Sequence, residues 1–320
     1  MTRFGFHASH EQISPRQLLA DVQHAERAGF EMAMCSDHLE PWSDRQGHSG
    51  FALSWLGAAL ATTGLAFGCV HAPGQRYHPA ITAQAVATLG QMFPGRFWIA
   101  LGSGENMNEH ITDDAWPDKE ARTRRLEECV GVIRRLLDGE TVTHRGLVRV
   151  HEARVWERAE PRPLLIAPAV SVASAVRVAA WADGLVTLNQ PIDTLKAIID
   201  AYRSAGGRGN ISLQVHLSWA PTGDEALALA HDQWRTNVFG AGIAWDVRDP
   251  KAFDDMARFV PPEAMHEHVR ISADPARHRD WLAEYAGLGF DDIYCHHVGP
   301  EQAGFIDAFG EHVLPGLKES

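Results

Sequence analysis

The sequence predicts an α/β fold, a (β/α)8 barrel, and we expect a single domain over residues 1–320. Eight short, apolar, β-rich runs alternate with longer stretches of helical period, which is the pattern of parallel βα units. Polar side chains follow several of these runs directly, at the strand ends where such a barrel keeps its chemistry. The chain also exceeds the roughly 250 residues typical of the fold, which leaves room for insertions.

The predicted strands are short and bounded by turn residues. They span residues 3–6, 32–35, 65–70, 97–101, 164–167, 184–188, 213–219 and 292–295. Helices are predicted over residues 15–28, 51–61, 79–93, 119–137, 172–182, 192–205 and 301–309. The first of them has clear ends, because Ser14 can cap its N-terminus, Pro15 suits its first turn and Gly29 stops it.

Two stretches interrupt this alternation. Residues 141–156 alternate like a β-hairpin, with Arg145-Gly146 at its turn. Residues 221–275 are mostly helical, contain Trp234 and Phe239, and are too long for one βα loop. We interpret the second stretch as a helical insertion over the barrel mouth that acts as a lid on a substrate.

Composition excludes several classes of partner. The formal net charge of -12 argues against nucleic acid and against an anionic membrane surface, since both require a basic face. Residues 50–70 carry no charge, but Thr62-Thr63-Gly64 divides them into a helix and a strand, so no membrane span is predicted. No export signal is visible and the 4 cysteines show no CxxC spacing. We therefore expect a cytoplasmic protein with reduced thiols.

The segment 36–42 is the first candidate site. It follows a predicted strand and brings together Asp37, His38 and Trp42, which include groups able to move protons and to stabilise charge. Other polar residues follow other strands. These are His7 and His10 after the first, His71 after the third, Glu105 after the fourth, and His296 with His297 after the eighth. In a barrel these strand ends converge on one mouth, so we expect a shared site.

The segment 102–108 is the second candidate site. Gly102 and Gly104 allow the backbone to approach a flat or phosphorylated ligand closely. Met107 stands where a dinucleotide fingerprint needs its third glycine, so the motif does not indicate a Rossmann fold. Glu105 can cap the turn that follows or, in apolar surroundings, donate a proton.

Several of these motifs together resemble those of a known family. The matching pieces are residues 8–12 with Pro15, 36–38 with Pro41 and Trp42, 46–48, Phe51 with Ser54 and Trp55, 76–80, 102–105 with Asn108 and Glu109, and 272–275. In this order they resemble the bacterial luciferase-like superfamily of flavin and deazaflavin oxidoreductases. Within it, the chain is similar to the deazaflavin-dependent glucose-6-phosphate dehydrogenase group.

The resemblance implies roles for individual residues. His38, Glu105 and Trp42 would be catalytic. Cofactor contacts would come from Asp37, Cys69, Val70, Ala72, Gly104, Asn108, Ala167, Ala169 and Val170. Family members also have a non-proline cis peptide after the third strand, here near Cys69-Val70, and they are commonly homodimers. No metal site is expected.

The sequence also departs from the sugar-phosphate members. Their phosphate-binding lysines are missing from residues 187–191 and from Asp254-Asp255, so a phosphate dianion would meet carboxylates there. A Gly-Gly pair near the cofactor phosphate is replaced by residues 167–171. We therefore expect FMN and a small organic substrate, with monooxygenation as a chemistry that a reduced flavin supports.

Three alternatives stay open at this point. The first is a coenzyme F420-dependent dehydrogenase that oxidises an alcohol or a sugar by hydride transfer. The second is a metal-dependent hydrolase barrel, suggested by the many histidines, although their spacings match no common metal pattern. The third is a flavin-binding protein without catalytic activity.

Overall fold

The computed structural model describes residues 1–318, and its strands are parallel apart from one hairpin. In chain order the strands are β1 (Arg3–Ala8), β2 (Met32–Ser36), β3 (Ala66–His71), β4 (Phe97–Leu101), β5 (Val142–Arg145), β6 (Arg149–Ala153), β7 (Leu164–Pro168), β8 (Leu185–Leu188), β9 (Ile211–Ser218), β10 (Arg270–Ile271) and β11 (Asp292–His297). All eight predicted strands are confirmed, with ends that move by up to two residues.

The parallel strands close into a barrel. Within the described chain the order is β1, β2, β3, β4, β7, β8, β9 and β11, and β11 returns to β1. The two-residue strand β10 adds to the end of β9. Because every barrel strand runs in the same direction, all eight carboxyl ends lie at one mouth. The predicted (β/α)8 barrel is therefore confirmed.

The helices lie between the strands. They are α1 (Pro15–Arg27), α2 (Ala52–Thr62), α3 (Pro79–Met92), α4 (Asn106–Glu109), α5 (Lys119–Leu137), α6 (Val172–Val178), α7 (Ile192–Ser204), α8 (Gly223–Trp234), α9 (Ala241–Ala244), α10 (Pro250–Met256), α11 (Met265–His268), α12 (Pro275–Ala286), α13 (Ala303–His312) and α14 (Leu314–Lys318). The sequence analysis missed α12, although Asp274 caps it and Pro275 occupies its first turn.

Alternation along the strands separates the barrel interior from the layer under the helices. Phe4, Phe6 and Ala8 of β1 belong to the large outer core, whereas Gly5 lies under the ring of Tyr294 inside the barrel. Gly68 of β3 is required for the same reason, since a Cβ there would lie 1.9 Å from the ring of Trp98. Alternate residues of a strand point to opposite faces, so the position of a residue in this alternation, its parity, decides whether its side chain can reach the mouth.

The two interruptions have the predicted secondary structure. Strands β5 and β6 form an antiparallel pair, and α8 to α11 lie between β9 and β10. The helical segment touches other loops of the mouth. The backbone nitrogen of Asn106 donates to the carbonyl of Trp245 at 2.9 Å, and the hydroxyl of Ser43 donates to the carboxylate of Asp254 at 2.8 Å. The function of this segment as a lid stays a prediction.

Two further expectations concern the backbone and the thiols. Among residues 1–318 the cis peptide bond is Glu160-Pro161, so the expected cis bond near Cys69-Val70 is wrong. Both residues instead lie inside β3 and pair in register with β2 and β4.

Cys35, Cys69, Cys129 and Cys295 are buried and free. None of the described helices is long and apolar enough to cross a membrane.

Candidate functional site

A cavity of about 800 Å³ opens at the carboxyl ends of the barrel strands. Its walls come from the loops after β1, β2, β3, β4, β7 and β8 and from the helical segment after β9. A volume of this size is typical of a site for a cofactor or another small molecule. Most of the polar residues that the sequence analysis placed after strands meet here.

A buried ion pair dominates one side of the cavity. His38 follows β2, Glu11 follows β1, and the imidazole Nδ1 lies 2.6 Å from the carboxylate Oε1. Ser9 donates a hydrogen bond of 2.9 Å to the other oxygen of Glu11. Both ionised groups line the cavity, so the pair can exchange a proton with a bound molecule.

The pair shifts both pKa values. Burial alone would lower the pKa of His38, but the charge and the hydrogen bond of Glu11, with the charge of Glu105, together outweigh burial and raise it to about 9. Burial alone would raise the pKa of Glu11, but His38 lowers it to about 2. At neutral pH the imidazolium and the carboxylate therefore coexist. The sequence analysis quoted Glu11 in a matching motif without assigning it a role.

Trp42 completes this side of the cavity. Its ring meets the imidazole of His38 edge to face, with ring centres 5.4 Å apart, and meets Phe253 of α10 in the same way at 5.4 Å. Phe253 is fully buried, so it fixes the indole in place. The side chain of Trp42 is thus held between the ion pair and the helical segment.

Asp37 forms a second charged network at the end of β2. Its Oδ2 lies 3.0 Å from Nδ1 of His71 and 3.3 Å from the guanidinium of Arg76. Burial alone would raise the pKa of Asp37, but His71 and Arg76 hold it below its usual range. Its Oδ1 is buried without a partner among the described residues. Asp37 lines the cavity, but its carboxylate is fully buried, and Tyr77 also helps to lower its pKa.

Glu105 and Asn108 connect the glycine segment to the loop after β2. The amide of Asn108 donates to Glu105 at 3.2 Å, and its oxygen accepts from the backbone nitrogens of Leu39 and Glu40 at 2.7 and 3.2 Å. Glu105 lines the cavity, whereas Asn108 lies behind it. Asn108 therefore holds the loop of His38 in position.

Small side chains form a smooth part of the cavity wall. Val70, Ala72, Gly104, Ala169 and Val170 line the cavity. Gly104 has a φ of 83°, and a Cβ there would lie 3.1 Å from Glu109. Cys69 and Ala167 are buried in the outer core, because they alternate along their strands with Val70 and Pro168, which line the cavity.

The candidate histidines divide into two groups. His7, His71 and His296 line the cavity. His10 and His297 are buried away from it, against Trp55 and Phe305 respectively. The sequence analysis missed His216, which joins the first group from inside β9. No group of three or more histidine, cysteine or acidic side chains in residues 1–318 has the arrangement of a metal site.

The aspartates that replace the expected lysines do not face the cavity. Asp254 accepts from Ser43 at 2.8 Å and pairs with Arg45 at 2.7 Å. Asp255 pairs with Lys251 on the surface. The expectation that a substrate phosphate would meet these carboxylates is therefore wrong.

The walls suit a flat, polar-edged ring such as that of a flavin or deazaflavin. The small residues Val70, Ala72 and Gly104 leave room for a planar ring. Asp37 holds a buried oxygen without a hydrogen-bond partner among the described residues, and Lys119, which also lines the cavity, offers a cation to a cofactor phosphate. The residues present therefore fit such a cofactor.

A family model described as luciferase-like monooxygenase matches residues 1–292. The chain belongs to this family. An F420-dependent glucose-6-phosphate dehydrogenase of Beutenbergia cavernae is 35% identical, and the match covers 99% of this chain and 98% of that protein. An F420-dependent hydroxymycolic acid dehydrogenase of Mycobacterium tuberculosis is 34% identical, over 97% and 87% of the two chains.

A solved structure supports the same relationship. An F420-dependent secondary alcohol dehydrogenase, in complex with an F420-acetone adduct, superposes with a TM-score of 0.90 at 28% identity and covers 99% of both chains. The chain is thus an oxidoreductase of the luciferase-like class, similar to F420-dependent dehydrogenases.

Proposed function

We propose that this protein is a coenzyme F420-dependent dehydrogenase that oxidises an alcohol on a small molecule. The buried pair of His38 and Glu11 carries the proposal, because alcohol oxidation requires a group that accepts the hydroxyl proton. The names of the relatives described above support F420 as the cofactor. They give no support to FMN, which the missing lysines and the missing Gly-Gly pair had favoured.

Bound F420 would supply a two-electron acceptor that takes the hydride from the carbinol carbon. The hydroxyl proton of the same alcohol goes to the pair of His38 and Glu11, and the product is a carbonyl compound. Glu105, which also lines the cavity and whose charge acts on His38, would supply the proton that accompanies the hydride to the ring. Trp42 keeps the imidazole oriented through its edge-to-face contact.

The pKa of His38 sets the direction of proton transfer. Because its pKa is about 9, the imidazole is mostly protonated at neutral pH. Alcohol oxidation, which needs the unprotonated base, should speed up as pH rises toward 9. Carbonyl reduction, which needs the acid, should be fastest below that pH.

Three kinds of contact would hold the cofactor. Asp37 would accept a hydrogen bond from the ring, and the lining residues Val70, Ala72, Gly104, Ala169 and Val170 would contact it directly. Asn108 would act through the loop after β2, since its oxygen binds that backbone. Cys69 and Ala167 would support the wall from behind. A homodimer and a cytoplasmic location stay predictions.

Cofactor titration tests the proposal. Purified apoprotein is titrated separately with F420 and with FMN, and binding is followed by fluorescence quenching. We expect micromolar binding of F420, weaker binding of FMN, and loss of the visible absorbance of F420 when 2-propanol is added. Asp37→Asn should weaken F420 binding about tenfold, while Asp254→Asn, outside the cavity, should leave it unchanged. Tight binding of FMN alone would contradict the proposal.

A further inference from the structure

A cluster of uncharged polar side chains lies beside the ion pair, and we call it the histidine floor. It consists of His7 on β1, Thr187 on β8, Gln214 and His216 on β9, and His296 on β11, all of which line the cavity. His216 and His296 are paired in the register of β9 and β11. The rings of His7 and His296 stack with centres 4.0 Å apart. The floor thus lies inside the barrel, on side chains of four neighbouring strands.

Hydrogen bonds fix which nitrogens of this layer carry protons. The amide nitrogen of Gln12 donates to the carbonyl of Val298, so the amide oxygen faces Nε2 of His296 at 3.2 Å and accepts a hydrogen bond from it. The other nitrogen of His296 then accepts from the amide of Gln214 at 3.0 Å. The same amide lies 3.2 Å from Nε2 of His216, which also accepts.

Two members of the floor are left without partners. Both ring nitrogens of His7 and the hydroxyl oxygen of Thr187 are buried, with no hydrogen-bond partner among the described residues. A buried polar atom without a partner costs free energy, and a bound molecule with matching groups removes that cost. The unpartnered atoms offer both donors and acceptors, which is the pattern that a hydroxyl or carbonyl group matches.

The floor carries no charge. Burial lowers the pKa of His7 to about 4 and that of His216 to about 3, and it holds the pKa of His296 well below its usual value. Three of the cations that line the cavity are already paired. Arg177 is paired with Glu120 and Glu127, Arg76 with Asp37, and the imidazolium of His38 with Glu11. A phosphate dianion placed on the floor would therefore lie in a neutral, desolvated site.

We propose that the histidine floor binds a second hydroxyl or carbonyl group of an uncharged polyhydroxy substrate, while its reacting alcohol lies at His38. The inference rests on the proposed function, since it specifies the substrate of the same site. His7, Thr187 and His38 all line the same cavity, so one small molecule bound there can contact both regions.

The test compares 2,3-butanediol, 2-butanol and glucose 6-phosphate as reductants of F420. We expect the wild type to show at least tenfold higher kcat/KM for the diol than for 2-butanol, because the monoalcohol leaves His7 and Thr187 unpartnered. Glucose 6-phosphate should be the poorest of the three. A wild type that prefers the phosphate, or that treats the diol and 2-butanol alike, would overturn the inference.

Variants locate the effect on the floor. His7→Leu and Thr187→Val should lower kcat/KM for the diol by a larger factor than kcat/KM for 2-butanol, so that the preference for the diol is lost. His7→Asn, which retains a donor and an acceptor, should keep most of the preference. Equal losses on both alcohols would show a general structural role for these residues and would also overturn the inference.

A binding measurement separates this inference from the proposed function. Saturation-transfer NMR of the F420-free protein with 2,3-butanediol and 2-butanol requires no turnover. A stronger diol signal that Thr187→Val abolishes would support the floor even if no alcohol reduced F420, and only the proposed function would then fail. Equal signals from the two alcohols would overturn the inference whatever the activity.

Discussion

His38 and His7 lie in the same cavity and both have little solvent exposure, yet they carry different charges. His38 has a carboxylate 2.6 Å away, which raises its pKa to about 9. His7 has no such partner, so burial dominates and lowers its pKa to about 4. The contrast shows that the carboxylate of Glu11, rather than burial, decides whether a histidine of this mouth can hold a proton.

The two regions therefore suit different tasks. The charged pair can move a proton at the reacting oxygen, and the uncharged histidine floor can bind neutral polar groups without stabilising an anion. Their separation within one cavity lets reaction and recognition be changed independently. Substitutions on each side should accordingly affect different measurements.

The largest effect is expected from His38→Ala. Removing the proton acceptor should lower kcat for alcohol oxidation by about 10²- to 10⁴-fold. The dissociation constant of F420 should change by less than about threefold, because Asp37 and the small-residue wall are untouched. Steady-state kinetics and fluorescence titration measure the two quantities. A variant that retains a tenth of the activity would remove His38 from the mechanism.

Glu11→Gln should make His38 resemble His7, with a pKa below the usual value for histidine. Without the carboxylate, burial is the largest effect left on His38, with Arg76 acting in the same direction and Glu105 against it, so its pKa should fall below 6.5. The inflection in the pH dependence of kcat/KM should then move from near 9 to below 6.5, with a loss of rate of about 10- to 100-fold. Ser9→Ala keeps the carboxylate and should leave the inflection within about one pH unit. An unmoved inflection in Glu11→Gln would contradict the comparison.

Stability should depend on pH in opposite ways for the two regions. His7 and His216 have folded pKa values below their unfolded value of about 6.5, so their stabilising effect is complete above that pH and is lost as pH falls toward 4. His38 has a raised folded pKa, so its contribution is complete below about 6.5 and is lost as pH rises through 9.

Thermal unfolding between pH 4 and pH 9 measures both effects. His7→Asn should weaken the loss of stability on the acid side, by on the order of 2 kcal/mol at pH 4, and should leave the alkaline side unchanged. Glu11→Gln should reduce the loss on the alkaline side instead. If His7→Asn unfolds in acid just as the wild type does, the floor is not a set of uncharged imidazoles.

The smallest effect is expected from Trp42→Phe. Phenylalanine keeps an aromatic ring between His38 and Phe253, so kcat should fall only about two- to fivefold. Trp42→Leu, which removes the ring, is the matched comparison and should lower kcat further. Equal kcat values for the two variants would show that Trp42 only fills space.

The sequence predicted the barrel and part of the site for one physical reason. Asp37, His38 and Glu105 follow strands directly, and parallel strands bring their carboxyl ends together. Glu11 was not assigned a role because it lies in a loop beyond the end of β1, where a carboxylate is ordinary. Only the fold shows that it meets His38. The roles of these residues stay predictions.

Side-chain parity explains other differences. Gln214 and His216 sit at alternate positions of β9, and that alternation of polar residues in an apolar strand was a signal that could have placed them in the barrel interior. Cys69 and Val70 are neighbours in β3, yet only Val70 reaches the cavity. The preference for FMN rested on loop residues, and such residues do not by themselves specify a cofactor.

The most direct test of the account is the isotope effect on F420 reduction by 2-propanol deuterated at its central carbon. Hydride transfer to F420 breaks that carbon-hydrogen bond, so under single-turnover conditions at pH 9 the loss of F420 absorbance should be several-fold slower than with ordinary 2-propanol. Equal rates for the two alcohols, or no loss of absorbance with either, would contradict F420-dependent alcohol oxidation at this site.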